Sequence, residues 1–291
     1  MRESGHDPHR QVELPGGAWL VRAAPPGSRS IDPRISLFGA VRLTVNGRDL
    51  RLAGRNARAL LAVLALDQRT RFRDAISADL WPDLPESEAS SALRQALWLL
   101  KSGMVGAGID PSAILDCDKE RIGLRPEITI ELDVSRFEAC MLDRPARVEE
   151  AIDLYGGDLA EGINLECLAR DRERLADLFE DALAEASRRR MLSGEFDRAR
   201  DAALRLLRRD PLREEAHTVL IELYGLTGSR SQVSRQYRRL RGILATELNV
   251  EPLRETEDAY RVAISRAAAR THLGAAWTMT TDRSYSGAVR G

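Results

Sequence analysis

Four side chains in the stretch SSALRQALWLLKSG have types and spacing suited to reading the edges of base pairs: Ser91, Arg94, Gln95 and Trp98. Arginine forks onto guanine O6 and N7, glutamine pairs with adenine N6 and N7, and serine serves either. On a helical wheel these four fall on one face with Ser87 and Ser102, and Lys101 lies beside them. Ala89, Leu93, Ala96, Leu97, Leu100 and Met104 fall opposite and must pack against other elements. Trp98 is open to a thymine methyl, to a sugar, or to protein, whether the rest of the chain or a second copy. The stretch is equally open to a plainer reading as an amphipathic core helix.

A second set of residues suits phosphate. Residues 51–73 hold Arg51, Arg55, Arg58, Arg69, Arg71 and Arg73 against Asp67 alone, six minus one, a local charge of +5. Arg55, Arg58, Arg71 and Arg73 flank the starts of two expected helices, where free backbone N–H groups also favour phosphate. Lys101, with Lys119 and Arg121 at an expected hairpin tip, completes the set. Contacts of this kind position a protein without reading sequence. A solvated charged face is the plain alternative. The whole chain has a net charge of −1, and residues 34–133 hold 14 basic and 14 acidic side chains, so any attraction to nucleic acid has to be local.

The elements that must position these groups follow from periodicity. Residues 35–38, 41–45 and 49–52 alternate apolar and polar as strands do, and Asn46-Gly47 between the last two is a strong hairpin signal. A small antiparallel sheet is expected. Three helices come next: one capped by Asn56, a short one from Asp74 to Trp81 stopped by Pro82, and the stretch quoted above. AILDCDKERIGL then reads as a hairpin with Asp118-Lys119-Glu120-Arg121 at its tip. Three strands, three helices and a hairpin make the order of a winged helix-turn-helix, whose third helix enters the major groove.

From Asp133 the pattern is helical. GEFDRA at 194–199 returns in outline as GSRSQV at 228–233, a shift of 34 residues that also aligns Ala203 with Tyr237 and Leu206 with Leu240. Thirty-four is the tetratricopeptide period. Pro211 stands at the helix-ending position of the first copy and Ala245 replaces it in the second. The expected architecture is therefore mainly α: a loose leader over 1–33, a winged helix-turn-helix over 34–132, a tetratricopeptide-like helical domain over 133–267, and a loose tail over 268–291.

Several chemistries find no support. Cys117, Cys140 and Cys167 are scattered without a CxxC pair, which argues for reduced, partly buried thiols rather than disulfides or a zinc site. Of the four histidines only His217 lies in a periodic helix. No Ser/His/Asp order, HExxH, phosphate loop or paired-carboxylate site stands out, so neither an enzyme nor a cofactor is expected. No apolar run approaches the roughly 20 residues of a membrane span, and no signal pattern opens the chain, which points to the cytoplasm.

The chain resembles the SARP-type transcriptional activators, named for Streptomyces antibiotic regulatory proteins. The matching stretches include SLFGAVRLTVNGRDLRL, RNARALLAVLAL, RFRDAISADLWPDLPESEASSALRQAL and LYGGDLAEGI, followed by RDPLREEAHTVLIELYGLTGSRSQVSRQYRRLRGIL and ELNVEP. They run in family order over roughly residues 35 to 265, and the last two are the most specific. The resemblance implies an OmpR-like winged helix joined to a bacterial transcriptional activation domain. It further implies binding to promoter direct repeats as side-by-side protomers and contact with RNA polymerase. The partners it implies are thus double-stranded promoter DNA, RNA polymerase and further copies of the chain on DNA, with no membrane. Two departures stand out. Relatives often follow LRQAL with a basic run, where this chain has Trp98-Leu99-Leu100, and they often place a Ser or Thr cap before the second helix, where this chain has Phe72. The apolar Trp98-Leu99 pair supports a competing reading, a helical-repeat adapter whose winged domain serves docking or dimerisation.

Overall fold

Strand β1 (Pro33–Ser36) pairs antiparallel with β2 (Arg42–Val45), Ile35 opposite Leu43, in a computed structural model that describes residues 31–285, with side chains through residue 269. The chain turns from β2 into β3 (Arg48–Asp49) through Asn46 at φ 50° and Gly47 at φ 76°. These are the two positive φ values that a type I′ turn requires. The third strand is shorter than its alternation predicts: the Leu50 N–H still donates to the Leu43 carbonyl at 2.8 Å, and the chain leaves the sheet after it. A fourth strand, β7 (Glu131–Leu132), adds on the other side of β1 in parallel, giving the order β3-β2-β1-β7.

Helices α1 (Arg55–Asp67), α2 (Arg73–Leu80) and α3 (Glu86–Gly106) follow. The start of α1 differs from expectation. Gly54, at φ 82°, is the N-cap residue with no side-chain cap bond, and Asn56 lies inside the first turn. Gly54 can take that backbone geometry at no steric cost, and a Cβ there would stand 3.6 Å from Leu99. Helix α2 closes at Leu80, just before Pro82. Helix α3 buries Ala89, Leu93, Ala96, Leu97, Leu100 and Met104, the six residues placed on its inner face by the wheel.

The wing consists of β5 (Leu115–Cys117) and β6 (Arg121–Leu124), with β4 (Arg71–Phe72) as a third strand in the order β4-β6-β5. Gly123 permits this: a Cβ there would lie 2.7 Å from the Thr70 Cα.

The helical part comprises α4 (Asp133–Leu142), α5 (Val148–Leu154), α6 (Ala169–Leu192), α7 (Phe196–Arg209), α8 (Glu214–Leu226), α9 (Arg230–Glu247) and α10 (Arg254–Tyr285). Consecutive helices from α6 to α9 pack as neighbours, and α6 also meets α8 as α8 meets α10, the stacking of helix pairs that the 34-residue shift predicts. Helices α7 and α9 begin 34 residues apart, each just after a left-handed glycine, Gly194 and Gly228 at φ 80°. The missing proline has a visible result: α7 stops after 14 residues ahead of Pro211, while α9 runs on for 18. Gly225 of α8 lets α10 approach, since a Cβ there would lie 2.7 Å from Ala263. Helix α10 continues to Tyr285, past residue 268 where a loose tail is expected; residues 1–30 and 286–291 lie outside the described residues. Among the described residues no helix is long and apolar enough to cross a membrane.

The boundary between the two parts is itself a packing centre. Phe38, just past β1, meets Phe137 of α4 edge-on at 5.2 Å and Tyr155 at 4.6 Å, and Tyr155 stacks on Phe179 of α6 at 3.9 Å. Phe38 also bridges to Leu159, and the Gly39 N–H donates to the Asp158 carbonyl at 2.9 Å. The Asp133 carboxylate opens α4 by accepting from the Leu37, Phe38 and Val134 N–H groups at 2.8–3.1 Å. Burial pushes this carboxyl up, and the backbone donors pull only partly against it. One continuous core of buried side chains therefore runs from Ile35 to Leu223 across the predicted boundary.

His217 serves the helical packing. It is buried, its Nε2–H donates to the Pro211 carbonyl at 3.1 Å, and its Nδ1 accepts from the Gln236 amide at 2.8 Å. Both ring nitrogens are used by the neutral form, and burial depresses the imidazole below its ordinary 6.5. The unfolded chain takes up this proton first as pH falls, so the contribution is complete above about pH 7 and shrinks through about pH 6.5 and below. The stability gap between wild type and His217→Gln is expected to narrow on acidification in urea titrations. A gap independent of pH between 5 and 8 would remove this account.

Candidate nucleic-acid interface

The outer face of α3 carries the four predicted base-reading residues in the open. Ser91, Arg94 and Gln95 are exposed, and Trp98 is 65% exposed. The Ser91 hydroxyl bonds back to the Ser87 carbonyl at 2.9 Å and receives the Arg94 Nη2 at 2.6 Å. Ser91 thereby holds the arginine on the helix surface. At that exposure Trp98 is not buried against the helical domain. Leu99, by contrast, is not on this face: it is half-buried on the core beside Gly54. Only Trp98 makes the outer face apolar at that point, with exposed Val105 two turns further on. Gly103 lets the 51–54 segment lie against α3, since a Cβ there would stand 2.9 Å from the Arg51 carbonyl oxygen.

The cations sort into two groups. Among the described basic residues of 34–132, only Arg34 and Arg71 take part in ion pairs. Arg71 stands apart from the rest of the expected phosphate set. Its guanidinium reaches Asp67 at 3.2 Å and Asp79 at 2.7 Å, so it braces α1 against α2. Both carboxylates offset its charge.

None of the remaining cations lies within ion-pair distance of a carboxylate, although, beside backbone hydrogen bonds, Arg121 and Arg73 help hold the Asp118 carboxyl down. Arg55 is exposed at the first residue of α1, and Arg58 one turn later is half-buried with its Nε out of solvent and without a hydrogen-bond partner. Arg73 at the start of α2 and Lys101 of α3 meet at a single thiol: the Arg73 Nη2 lies 3.2 Å and the Lys101 Nζ 3.6 Å from Cys117 Sγ on β5. Sulfur is a weak acceptor, so both charges stay available. Lys119 is exposed at the wing tip. Arg121 lies with its guanidinium carbon 4.5 Å over the ring of Phe72, its cross-strand partner. The wing tip is shaped by Asp118, whose carboxylate accepts the Glu120 and Arg121 N–H groups, and it is tied to α2 where the Arg73 N–H donates to the Glu120 carbonyl at 2.8 Å. Those backbone donors hold the Asp118 carboxyl below the usual carboxylate range.

Two of these roles have no signal in the sequence. Cys117 reads as one more scattered cysteine, and nothing in periodicity brings residues 73, 101 and 117 together. Phe72 reads only as a missing cap. Cys117 is half-buried, Cys140 buried and Cys167 exposed, all as free thiols, so the last departs from the expected partial burial. Among the described residues no cluster of His, Cys, Asp or Glu is placed to hold a metal ion.

A triad of converging elements, α2, α3 and wing, thus presents unpaired cations beside a polar helix face. Residues 133–262 match the family described as the bacterial transcriptional activator domain. The chain is similar to regulators of the SARP type over this region. It is 26% identical over 244 residues to the transcriptional regulatory protein EmbR of Mycobacterium bovis and of Mycobacterium tuberculosis, covering 78% of this chain and 62% of EmbR. The chain spans about 62% of the length of the curated relatives it matches. The relatives it matches are named as transcriptional regulatory proteins. The solved structure of Mycobacterium tuberculosis EmbR in complex with a low-affinity phosphopeptide superposes with a TM-score of 0.62 at 22% identity, covering 84% of this chain and 71% of that one. At that identity the likeness speaks for the fold: winged helix, then helical repeats.

Proposed function

We propose that this chain is a DNA-binding transcriptional activator that seats α3 in the major groove of promoter direct repeats. Ser91, Arg94, Gln95 and Trp98 face the bases, while Arg55, Arg58, Arg73, Lys101, Lys119 and Arg121 face phosphates on either side. One observation carries this reading: the winged domain is close to neutral in sum, yet its cations outside Arg34 and Arg71 stand in no close ion pair, and several gather at the junction of α2, α3 and the wing. A surface that leaves charges unpaired in this way is suited to a polyanion. The helical repeats then serve contact with RNA polymerase or with neighbouring protomers, and the protein works in the cytoplasm, where its DNA is.

The test is an electrophoretic titration against the promoter regions beside its own gene and against random DNA, at several salt concentrations. Affinity for the promoters should exceed that for random DNA and should fall steeply with salt. Equal affinity for both would end the specific-readout claim. The exposure of Trp98 with Val105 along α3 supports the second reading, an adapter whose winged domain docks protein. Retained partner binding with no DNA binding at low salt would decide for it.

A further inference from the structure

The departure at Phe72 has a structural counterpart in Arg121. Phe72 takes the N-cap place of α2, makes no side-chain cap bond, and is 54% exposed, an unusual setting for a large apolar ring. Its ring is covered from one side by the Arg121 guanidinium at 4.5 Å. The two residues are antiparallel partners on β4 and β6, so their Cα positions are held by the ladder rather than by the contact itself. Arg121 makes no close ion pair: Asp118 feels its charge, but that carboxylate accepts its hydrogen bonds from the backbone of the wing tip. A guanidinium stacked on a ring keeps its N–H edges free and loses much of the rotamer freedom of a long side chain.

We infer that Phe72 is a positioning residue for DNA binding: it exchanges the helix cap for an aromatic platform that lays Arg121 ready for a phosphate at the junction of wing and α2. The inference rests on the DNA-binding reading above and adds a role to it. A serine or threonine at 72 caps the helix but leaves Arg121 free to swing into solvent. The ring therefore acts through Arg121, and its effect is on how many phosphates are neutralised, not on which bases are read.

The experiment is a salt-dependent titration of promoter DNA with the full chain as wild type, Phe72→Ala, Phe72→Leu, Phe72→Trp, Arg121→Ala and the double variant Phe72→Ala/Arg121→Ala. Arg121→Ala should reduce the slope of log affinity against log salt by about one. Phe72→Ala should weaken binding about two- to fivefold and move the slope the same way, and the double variant should bind no worse than Arg121→Ala alone. Tryptophan should restore the wild-type slope and leucine should not, because leucine keeps the apolar bulk without a π face. Without DNA, the Arg121 Nε–H resonance should be ring-current shifted in wild type and revert in Phe72→Leu. Additive losses in the double variant, rescue by leucine, or an unshifted Arg121 resonance would overturn the inference while leaving DNA binding intact. If wild type binds no DNA at any salt, the functional reading itself falls, and the positioning role with it.

Discussion

Replacing Asp133 by alanine is expected to cost about 3 kcal/mol of stability, more than any surface substitution in the winged domain. The carboxylate accepts the Leu37 N–H at 2.9 Å and the Phe38 N–H at 3.1 Å, and also the Val134 N–H at 2.8 Å within its own helix. A partly buried N–H stripped of its partner costs roughly 1–3 kcal/mol, and the substitution strips the two from Leu37 and Phe38. The loss reaches further, because those N–H groups hold Phe38 against Phe137 and Tyr155. For a chain of this size each kcal/mol lowers Tm by about 2–4 °C, so a drop of about 6–12 °C is expected in a thermal scan. Asp133→Asn should fall between, since its oxygen still accepts while its amide N–H₂ opposes a backbone donor. The same packing predicts that winged and helical parts of the wild type unfold in one transition. Two separated transitions, or a loss below about 0.5 kcal/mol for Asp133→Ala, would mean that the boundary is not the joint described.

The second large effect is on recognition. Arg94→Ala and Gln95→Ala are each expected to erase about 1–3 kcal/mol of discrimination between promoter and random DNA, tenfold or more, while leaving non-specific affinity nearly in place. Arg58→Ala should do the opposite, weakening all sequences alike and lowering the salt slope by about one. Both side chains of α3 are exposed and lie outside the core, so these variants should fold as wild type does. Parallel titrations on promoter and random fragments check this. If Arg94→Ala lowers both affinities equally, Arg94 belongs with the phosphate contacts and the base-reading role passes to other residues of the face. Ser91→Ala should give a smaller loss in the same direction, because Ser91 only holds the guanidinium at 2.6 Å.

Much of the scaffold was legible because it is written locally. The inner face of α3 follows from spacing alone, since a helix repeats every 3.6 residues and six apolar side chains keep that period from 89 to 104. Asn46-Gly47 specifies its own turn, and the paired glycines before α7 and α9 mark a repeat whose helix lengths then depend on one proline. What escaped is short or distant. Strands β4 and β7 have two residues each, too few to show a period, and both join partners far along the chain. Asn56 carried the better capping side chain, yet the backbone turn is made by Gly54, where α1 starts against Leu99.

Residue types and periods were thus sufficient to place the basic cluster, the polar face of α3 and the order of a winged helix followed by helical repeats. They could not say which cations were free. Arg71 and Arg73 sit two residues apart with the same chemistry, but Arg71 folds between Asp67 and Asp79 in close ion pairs while the guanidinium of Arg73 has its hydrogen bond to a thiol. Whether a charge is neutralised depends on carboxylates brought beside it by the tertiary fold, over distances at which the chain carries no local pattern. The same holds for the joint between domains, where Asp133 caps a segment 96 residues earlier. Local sequence sets which groups an element presents. Only the packing of elements decides which of them remain available to a partner.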